Sequence, residues 1–595
     1  MRMKNTILLL VVLAAGTAVF SPGLRNGFVY DDLVTIEENL FIRDWGNLQR
    51  FFSSDYYIRA EEYSFRPLVT LTYFLDWELW GLKPEGYHLT NLIWHLAVTA
   101  ALFGLARKIF KDPGPAAIAA GIFSLHPAAA EAVEGISFRE DLICAFFVIV
   151  GVWAALKAGR DGGTRALRKF QAVALLFFIL ALLAKEMAAT FPLLAGAILA
   201  GDGRESFRRM RSWLVFAFLL AGAYAAARYL VLFQQGALPS VPEFGPPLTR
   251  AAIFCKSLGL YGLRAVFPVR LTVEYPDPLP GIAWGGAFAG AAILIPAGLL
   301  AAWRTAPRGE GEGARIGLAW FILALLPVLN LLPSPRLGAE RFLYLPLAGF
   351  ALWAGALWSR GHRIKQKTAR MTLNLALGGV FLALGAGSLL RNSAWADNYA
   401  LFTDAVAKSP RSSKAHHGLG NELFHRGEAY AAIREFEEAL AIFPREPFYY
   451  NSLGVAYGEL GRYRESRQQF EASRRLNPND PTVLVNLAVL ALRAGELDEA
   501  ETHIRRYLLD RSFDPQGHLI LGEIALAGGN WDKAGNAYRE AIRLNPAEVA
   551  AREGLGYCLY SAGRVEEARR VWREALRYAP NNPQIREWLA ATGGP

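Results

Sequence analysis

For about two thirds of its length the chain alternates long apolar runs with short basic clusters, and then it changes rhythm. After MRMKN an apolar run reaches about Phe20. Further segments long enough to cross a bilayer, or nearly so, lie at 88–106, 115–130, 139–156, 170–201, 212–233, 250–267, 282–303, 315–332, 341–358 and 372–390. Between them stand Arg107/Lys108/Lys111, Lys157/Arg160/Arg165/Arg168/Lys169, Arg204/Arg208/Arg209/Arg211, Arg304/Arg308/Arg315 and Arg360/Arg363/Lys365/Lys367/Arg370. Basic loops stay cytoplasmic, and this fixes the reading of two segments. The run 170–201 has basic loops at both ends, so it must be a hairpin, broken at Lys185-Glu186. Segment 250–267 must lie on the outer surface or dip in, because a crossing there would turn the 360–370 loop outward. About eleven crossings result, with Arg2 and Lys4 inside whether or not the first run is a signal. Loop 23–66 and everything after Leu390 lie outside.

From about residue 392 the sequence reads as soluble helix with a period of 34. Pro410, Pro444, Pro478, Pro546 and Pro580 keep this spacing, with Ser512 where one proline is missing. Small residues recur in phase: Gly420, Gly454, Ala488, Gly522 and Gly556, then Ala432, Ser466, Ala500, Ala534 and Ala568. Phe436, Phe470, Tyr538 and Trp572 fill the next position, with Ile504 as the exception. A 34-residue helix–turn–helix unit of this pattern resembles tetratricopeptide repeats. The expected division is a membrane domain over 1–391 and a repeat domain over 392–595. The latter comprises a half unit 392–412, five units over 413–582 and a C-terminal tail. Such a solenoid binds chains on its concave face, so any catalysis is expected from the membrane half.

Composition sharpens this all-α reading. Of 595 residues 53% are apolar, and the mean hydropathy is +0.20, too oily for a soluble multidomain protein. Residues 1–391 hold 38 Lys+Arg against 26 Asp+Glu, and the remainder 25 against 27, so the net +10 resides in the oily part. That placement matches membrane orientation and argues against nucleic acid as a partner. Cys144, Cys255 and Cys558 are too scattered for a disulfide framework or a cysteine metal site.

Ionisable side chains near spans point to chemistry or to pairing. The first outer loop opens Asn26-Gly-Phe-Val-Tyr-Asp-Asp32, and carboxylates there can take a proton from an acceptor hydroxyl. The same pair can instead cap a short helix through 33–38. The loop ends at Ser64-Phe-Arg66-Pro67, and the next span opens at Tyr87-His88. A third outer turn runs His126-Pro-Ala-Ala-Ala-Glu131-Ala-Val-Glu134 to Arg139-Glu-Asp141, where Glu131 and Glu134 share a helix face. Lys185-Glu186 and Glu340-Arg341 with Tyr344 and Pro346 complete the set. Each cluster alone reads more readily as snorkelling cations neutralised by neighbouring acids than as chemistry. The inferred topology brings all five to one membrane surface.

The strings GFVYDD, FRPL, YHLTNLIWH, HPAAAEAVEGISFREDL, KE and ERFLYLP, in this order and followed by tetratricopeptide repeats, resemble the transmembrane and tetratricopeptide-repeat protein O-mannosyltransferases. These belong to the GT-C glycosyltransferases. The resemblance implies inverting transfer of a sugar from a polyprenyl phosphate to a hydroxyl, with no metal or other cofactor. It implies an acidic base at Asp31 or Asp32 and outer-surface cations, Arg139 foremost with Lys185, Arg66 and Arg341, around the leaving phosphate. Asp31 is the first choice for the base, since neighbours on an extended segment point opposite ways. Glu131 and Glu134 come next. With His126, His88, Glu186 and Tyr344 they are also candidates for contacts to sugar or acceptor.

The composition, short-looped and rich in Ala, Gly and Arg, suggests a bacterial inner-membrane enzyme. It would use an undecaprenyl-type lipid donor and carry a periplasmic repeat domain that binds a protein or glycan acceptor. The rivals are a non-enzymatic membrane-anchored scaffold for envelope assembly and a lipid-linked sugar transporter.

Overall fold

A computed structural model describes residues 2–51, 65–160, 163–234, 247–275, 312–330, 338–478 and 480–593. The expected span 282–303 and the cations Arg304 and Arg308 lie outside the described residues. The chain divides into two compact units, 1–410 and 411–595, so the stretch expected as a half repeat groups with the first. Among the described residues all regular structure is helical.

The first unit contains α1 (Arg2–Phe20), α2 (Pro67–Trp80), α3 (Pro84–Phe110), α4 (Pro113–Leu125), α5 (Ala130–Glu134), α6 (Arg139–Arg160) and α7 (Thr164–Ala184). It continues with α8 (Phe191–Asp202), α9 (Arg204–Gln234), α10 (Pro247–Val266), α11 (Glu312–Leu325), α12 (Tyr344–His362), α13 (Lys367–Ser393) and α14 (Asn398–Lys408). Among the described residues seven helices are long and apolar enough to span a bilayer, or eight if the bent pair α4 and 127–134 counts as one. This is a multi-pass membrane protein. α6 runs through its middle, packed on α3 and α7, and α4 sits among α1, α3 and α12. Backbone contact joins α11 to α12, for a Cβ on Gly317 would stand 2.5 Å from Trp353 N and one on Gly349 2.5 Å from Phe321 N. Small residues permit such close crossings where lipid supplies no hydrophobic drive between helices. α7 ends at Ala184 and the chain turns through extended Lys185, so 170–201 is broken where its charges stand.

The second unit has five helix pairs in register: 413–425 with 429–442, 447–459 with 463–476, 481–493 with 497–510, 515–527 with 531–544 and 549–561 with 565–578. A final helix covers Pro583–Ala591. Every pair turns on a glycine at positive φ (Gly427, Gly461, Gly495, Gly529, Gly563; φ 71–78°), where a side chain would be strained. The recurring small residues make room for the recurring aromatics. A Cβ on Gly420, Gly454, Gly522 or Gly556 would run into the ring of Phe436, Phe470, Tyr538 or Trp572. In the third pair Ala488 and Ile504 share one core cluster, a larger residue opposite a smaller partner.

Candidate active site

The loop 26–32 follows a short turn (Ser21–Arg25) after α1 and is held by hydrogen bonds from both its backbone and its side chains. Asn26 donates its carboxamide to Glu134 (3.0 Å), and the Gly27 carbonyl accepts from His88 Nε2 (3.3 Å). Tyr30 N–H donates to Asn398 Oδ1 (2.8 Å), while the Tyr30 hydroxyl donates to Glu274. These anchors hold Tyr30 in the left-handed region (φ 60°), a conformation that costs a bulky residue free energy. The acidic pair follows this bend, and its two members part. Asp31 is exposed and Asp32 fully buried.

Asp32 accepts from Ser137 N (2.6 Å) and Val29 N (3.2 Å) and makes no side-chain cap to the 33–37 turn it precedes. The helix-cap alternative therefore does not describe it. Burial pushes its carboxyl up from 3.8 to about 7, although the backbone donors at Ser137 and Val29 pull the other way.

Next to Ser137 in sequence begins the cationic half. The Arg341 guanidinium lies 3.9 Å over the Phe138 ring and pairs with Glu131. That carboxylate also accepts from the N–H groups of Glu340 (2.6 Å) and Arg341 (3.1 Å), pinning the turn that carries the arginine. Glu140 pairs with Arg66 (3.0 Å) and Lys185 (3.5 Å), and Asp141 with Lys185 (2.6 Å). Glu186 bridges Arg66 (3.3 Å) and Arg228 (3.0 Å). Burial alone would raise the Glu186 carboxyl, but the Arg66 and Arg228 charges hold it below its usual range. The Arg66 and Glu186 side chains, 20% and 43% exposed, form the accessible edge, and Lys185 and Arg341 stand behind it.

Five consecutive residues thus link the acidic loop to the cations: Ser137 holds Asp32, Phe138 faces Arg341, and Glu140 and Asp141 hold Arg66 and Lys185. At about 1.5–2 Å of helical rise per residue, Ser137 and Glu140 are roughly 4.5–6 Å apart along the axis.

Arg139, the middle member, turns away. Fully buried, it pairs with Asp76 (2.5 Å) and donates to Asn91 Oδ1 (2.6 Å), Thr72 Oγ1 (3.1 Å) and the Tyr87 carbonyl (3.2 Å). Burial raises the Asp76 carboxyl and the Arg139 charge opposes the rise. Set as the foremost phosphate ligand by its motif, this guanidinium instead ties α2 and α3 to the start of α6. His126 caps its own turn through Ala128 N (3.2 Å) and donates to the Ala265 carbonyl (3.1 Å). Tyr344 hydrogen-bonds His95 Nδ1 (2.7 Å) within the core. Glu131, Glu134 and His88 brace the two loops.

Sequence reasoning passed over Asp76, Arg228, Glu274 and Asn398, and assigned no role to Glu140 and Asp141. Arg228 carried a usable signal, a lone cation in an apolar run. Among the described residues no group of three or more His, Cys, Asp or Glu side chains is arranged to hold a metal ion.

A family profile described as tetratricopeptide repeat matches residues 451–518 and 520–584. Protein O-mannosyl-transferase TMTC3 of Homo sapiens is 27% identical over 479 residues, covering 73% of this chain and 51% of its own length. Protein O-mannosyl-transferase Tmtc1 of Drosophila melanogaster is 28% identical, covering 68% and 58%. The chain is thus similar over most of its length to protein O-mannosyl-transferases. It spans about half the length of the human relative. A solved thermophilic tetratricopeptide-repeat protein of Thermus thermophilus is 23% identical, with a TM-score of 0.27, and is matched over 30% of this chain and 98% of its own.

Proposed function

We propose that the chain is an inverting glycosyltransferase of the outer membrane face. It moves a hexose, mannose by analogy with its relatives, from a polyprenyl phosphate to a hydroxyl of a protein or glycan held by the repeats. In this reading Asp31 takes the proton of the acceptor hydroxyl as its oxygen attacks the sugar's anomeric carbon. The bond to phosphate oxygen breaks with inversion, and the polyprenyl phosphate leaves. Arg66, Lys185 and Arg341 stabilise the charge that builds on it, being already oriented by carboxylates in a site of low dielectric. Arg139 acts as a positioning residue, and Asp32 fixes the loop so that Asp31 faces out. The observation supporting this reading is the segment 137–141, which binds the acidic loop at one end and the cations at the other. The membrane would be the bacterial inner membrane, with the repeats in the periplasm.

The test is purified full-length protein in liposomes with a panel of polyprenyl-phosphate sugars, followed for released polyprenyl phosphate. Release is expected with polyprenyl-phosphate mannose or another hexose, and its loss in Asp31→Asn. If no donor releases polyprenyl phosphate, a non-enzymatic scaffold explains the fold better.

A further inference from the structure

At the other end of α3 from His88 lies a second feature that the transfer chemistry does not use. Twenty residues separate His88 from Lys108, about 30 Å of helix, the thickness of a bilayer's hydrocarbon core. There a cavity of about 620 Å³ opens among the starts of α1 and α4 and the ends of α3 and α6. Arg107, Lys108, Lys111 and Arg160 line it, with no acidic side chain among the described lining residues, and Phe103 and Trp153 form part of its apolar wall.

The four cations are not equivalent. Arg160 is held by Asp202 (2.6 Å) and donates to the Lys108 carbonyl (3.0 Å), so its charge is matched and it braces the end of α3. Among the described residues Arg107, Lys108 and Lys111 pair with no carboxylate, which leaves about three positive charges facing a concave space. Lys111 adds an independent sign. It closes α3 in the left-handed conformation (φ 58°, ψ 9°), a position where glycine is the cheaper residue. Cations that only orient a membrane protein can stand anywhere in a loop. Here they gather at one cavity beside aromatic rings, one of them on a strained backbone.

We propose that this cavity binds the phosphodiester headgroup of an anionic phospholipid, its acyl chains running along Phe103 and Trp153. Unmatched cations supply the attraction, the apolar wall selects an amphiphile over a free phosphate ester, and the bound lipid ties together the ends of α1, α3 and α6. This site is independent of the glycosyltransfer reading.

The full chain would be placed in nanodiscs of phosphatidylcholine, alone or with increasing phosphatidylglycerol. Retained lipid is counted by native mass spectrometry, and the melting temperature is recorded. Wild type is expected to retain phosphatidylglycerol over phosphatidylcholine and to melt higher as its fraction rises. Lys108→Gln with Lys111→Gln should cut retention several-fold, while Lys365→Gln with Lys367→Gln, an equal charge loss on another basic loop, should leave it unchanged. Lys111→Gly keeps the test alive if the double variant folds poorly. It relieves the strained cap, so it should melt higher in pure phosphatidylcholine and yet retain less phosphatidylglycerol. Equal losses from both pairs, or no loss from the first, would overturn the site. A rise in melting temperature with soluble glycerol phosphate equal to that with the lipid would overturn the lipid assignment in favour of a free phosphate ester.

Discussion

Residues 1–410 hold deeply buried ion pairs: Arg139–Asp76, Lys185–Asp141 and Arg341–Glu131 have side chains no more than 8% exposed. Residues 411–595 keep theirs in solvent, as in Arg493–Glu459, 45% and 47% exposed. Buried charge is costly to desolvate and survives only with complete partners, so each of these three pairs fixes geometry, and losing one partner strands the other. Exposed pairs are screened and nearly neutral in free energy. The first unit can therefore hold cations oriented for a reaction. The second can vary its surface and keep its fold, which suits a binding module.

The contrast is tested most strongly at the loop pair. Asp31→Asn preserves shape and removes the basic lone pair, so transfer should fall roughly 10²–10⁴-fold, the contribution of general base catalysis, with melting temperature unchanged. If both Asp31→Asn and Asp32→Asn remain near wild-type rate, the base lies elsewhere, with Glu131 and Glu134 next in line. Arg139→Gln should do the reverse, lowering stability by about 3–5 kcal/mol by leaving Asp76 buried and unpaired. Adding Asp76→Asn should recover much of this. No recovery in thermal melts would mean that the other Arg139 contacts, not the ion pair, hold α2. Removing Arg493 should shift the melt by less than about 1 kcal/mol.

Asp32 gives the next largest effect, and its sign follows from burial. In the unfolded chain its carboxyl titrates near 3.8 and in the folded chain near 7, so between these values the folded state holds the extra proton. The stability tied to that proton is complete below 3.8 and is lost as pH rises through about 7, at most roughly 4 kcal/mol for three units. Melting temperature should therefore fall from pH 5 to pH 8 in wild type, with a flatter slope in Asp32→Asn. Identical slopes would show that Asp32 stays ionised in its pocket.

The repeats were legible because period is a property of sequence alone. Thirty-four residues recur with the same volumes, and even the exception at Ile504 is paired with Ala488 in the same sequence. The convergence of clusters in the first unit was legible through alternation of basic loops. The role of each charge was not. Arg139 and Arg341 look alike in sequence, an arginine at the start of a span, yet one is enclosed by Asp76, Asn91, Thr72 and Tyr87 and the other lies over Phe138. The difference is made by α2, whose Asp76 stood outside every motif. The division of Asp31 from Asp32 was expected from an extended segment. The structure makes it with a left-handed bend at Tyr30, held by Asn398 and Glu274, residues hundreds of positions away.

A more modest effect than those in the first unit probes the repeats where charge plays no part. In four pairs a glycine meets an aromatic ring, with Gly556 tightest, since a Cβ there would fall against Trp572 Nε1. Gly556→Ala must displace that ring, and overpacking of this kind costs about 1–3 kcal/mol. The third pair allows the converse experiment, because Ala488 and Ile504 have exchanged volume between them. Ile504→Phe alone should be destabilising, since the ring would meet the Ala488 methyl, and Ala488→Gly alone should open a void. Combined, they recreate the glycine–aromatic pairing of the neighbouring units, so the double variant should be more stable than the sum of the singles by about 0.5–3 kcal/mol. Urea melts of the full chain, read by a probe in the repeats, measure this coupling. Additive effects would mean that the third pair settles its volume with other neighbours, and that the 34-residue rhythm in this unit reflects the turn at Gly495 more than the packing between its helices.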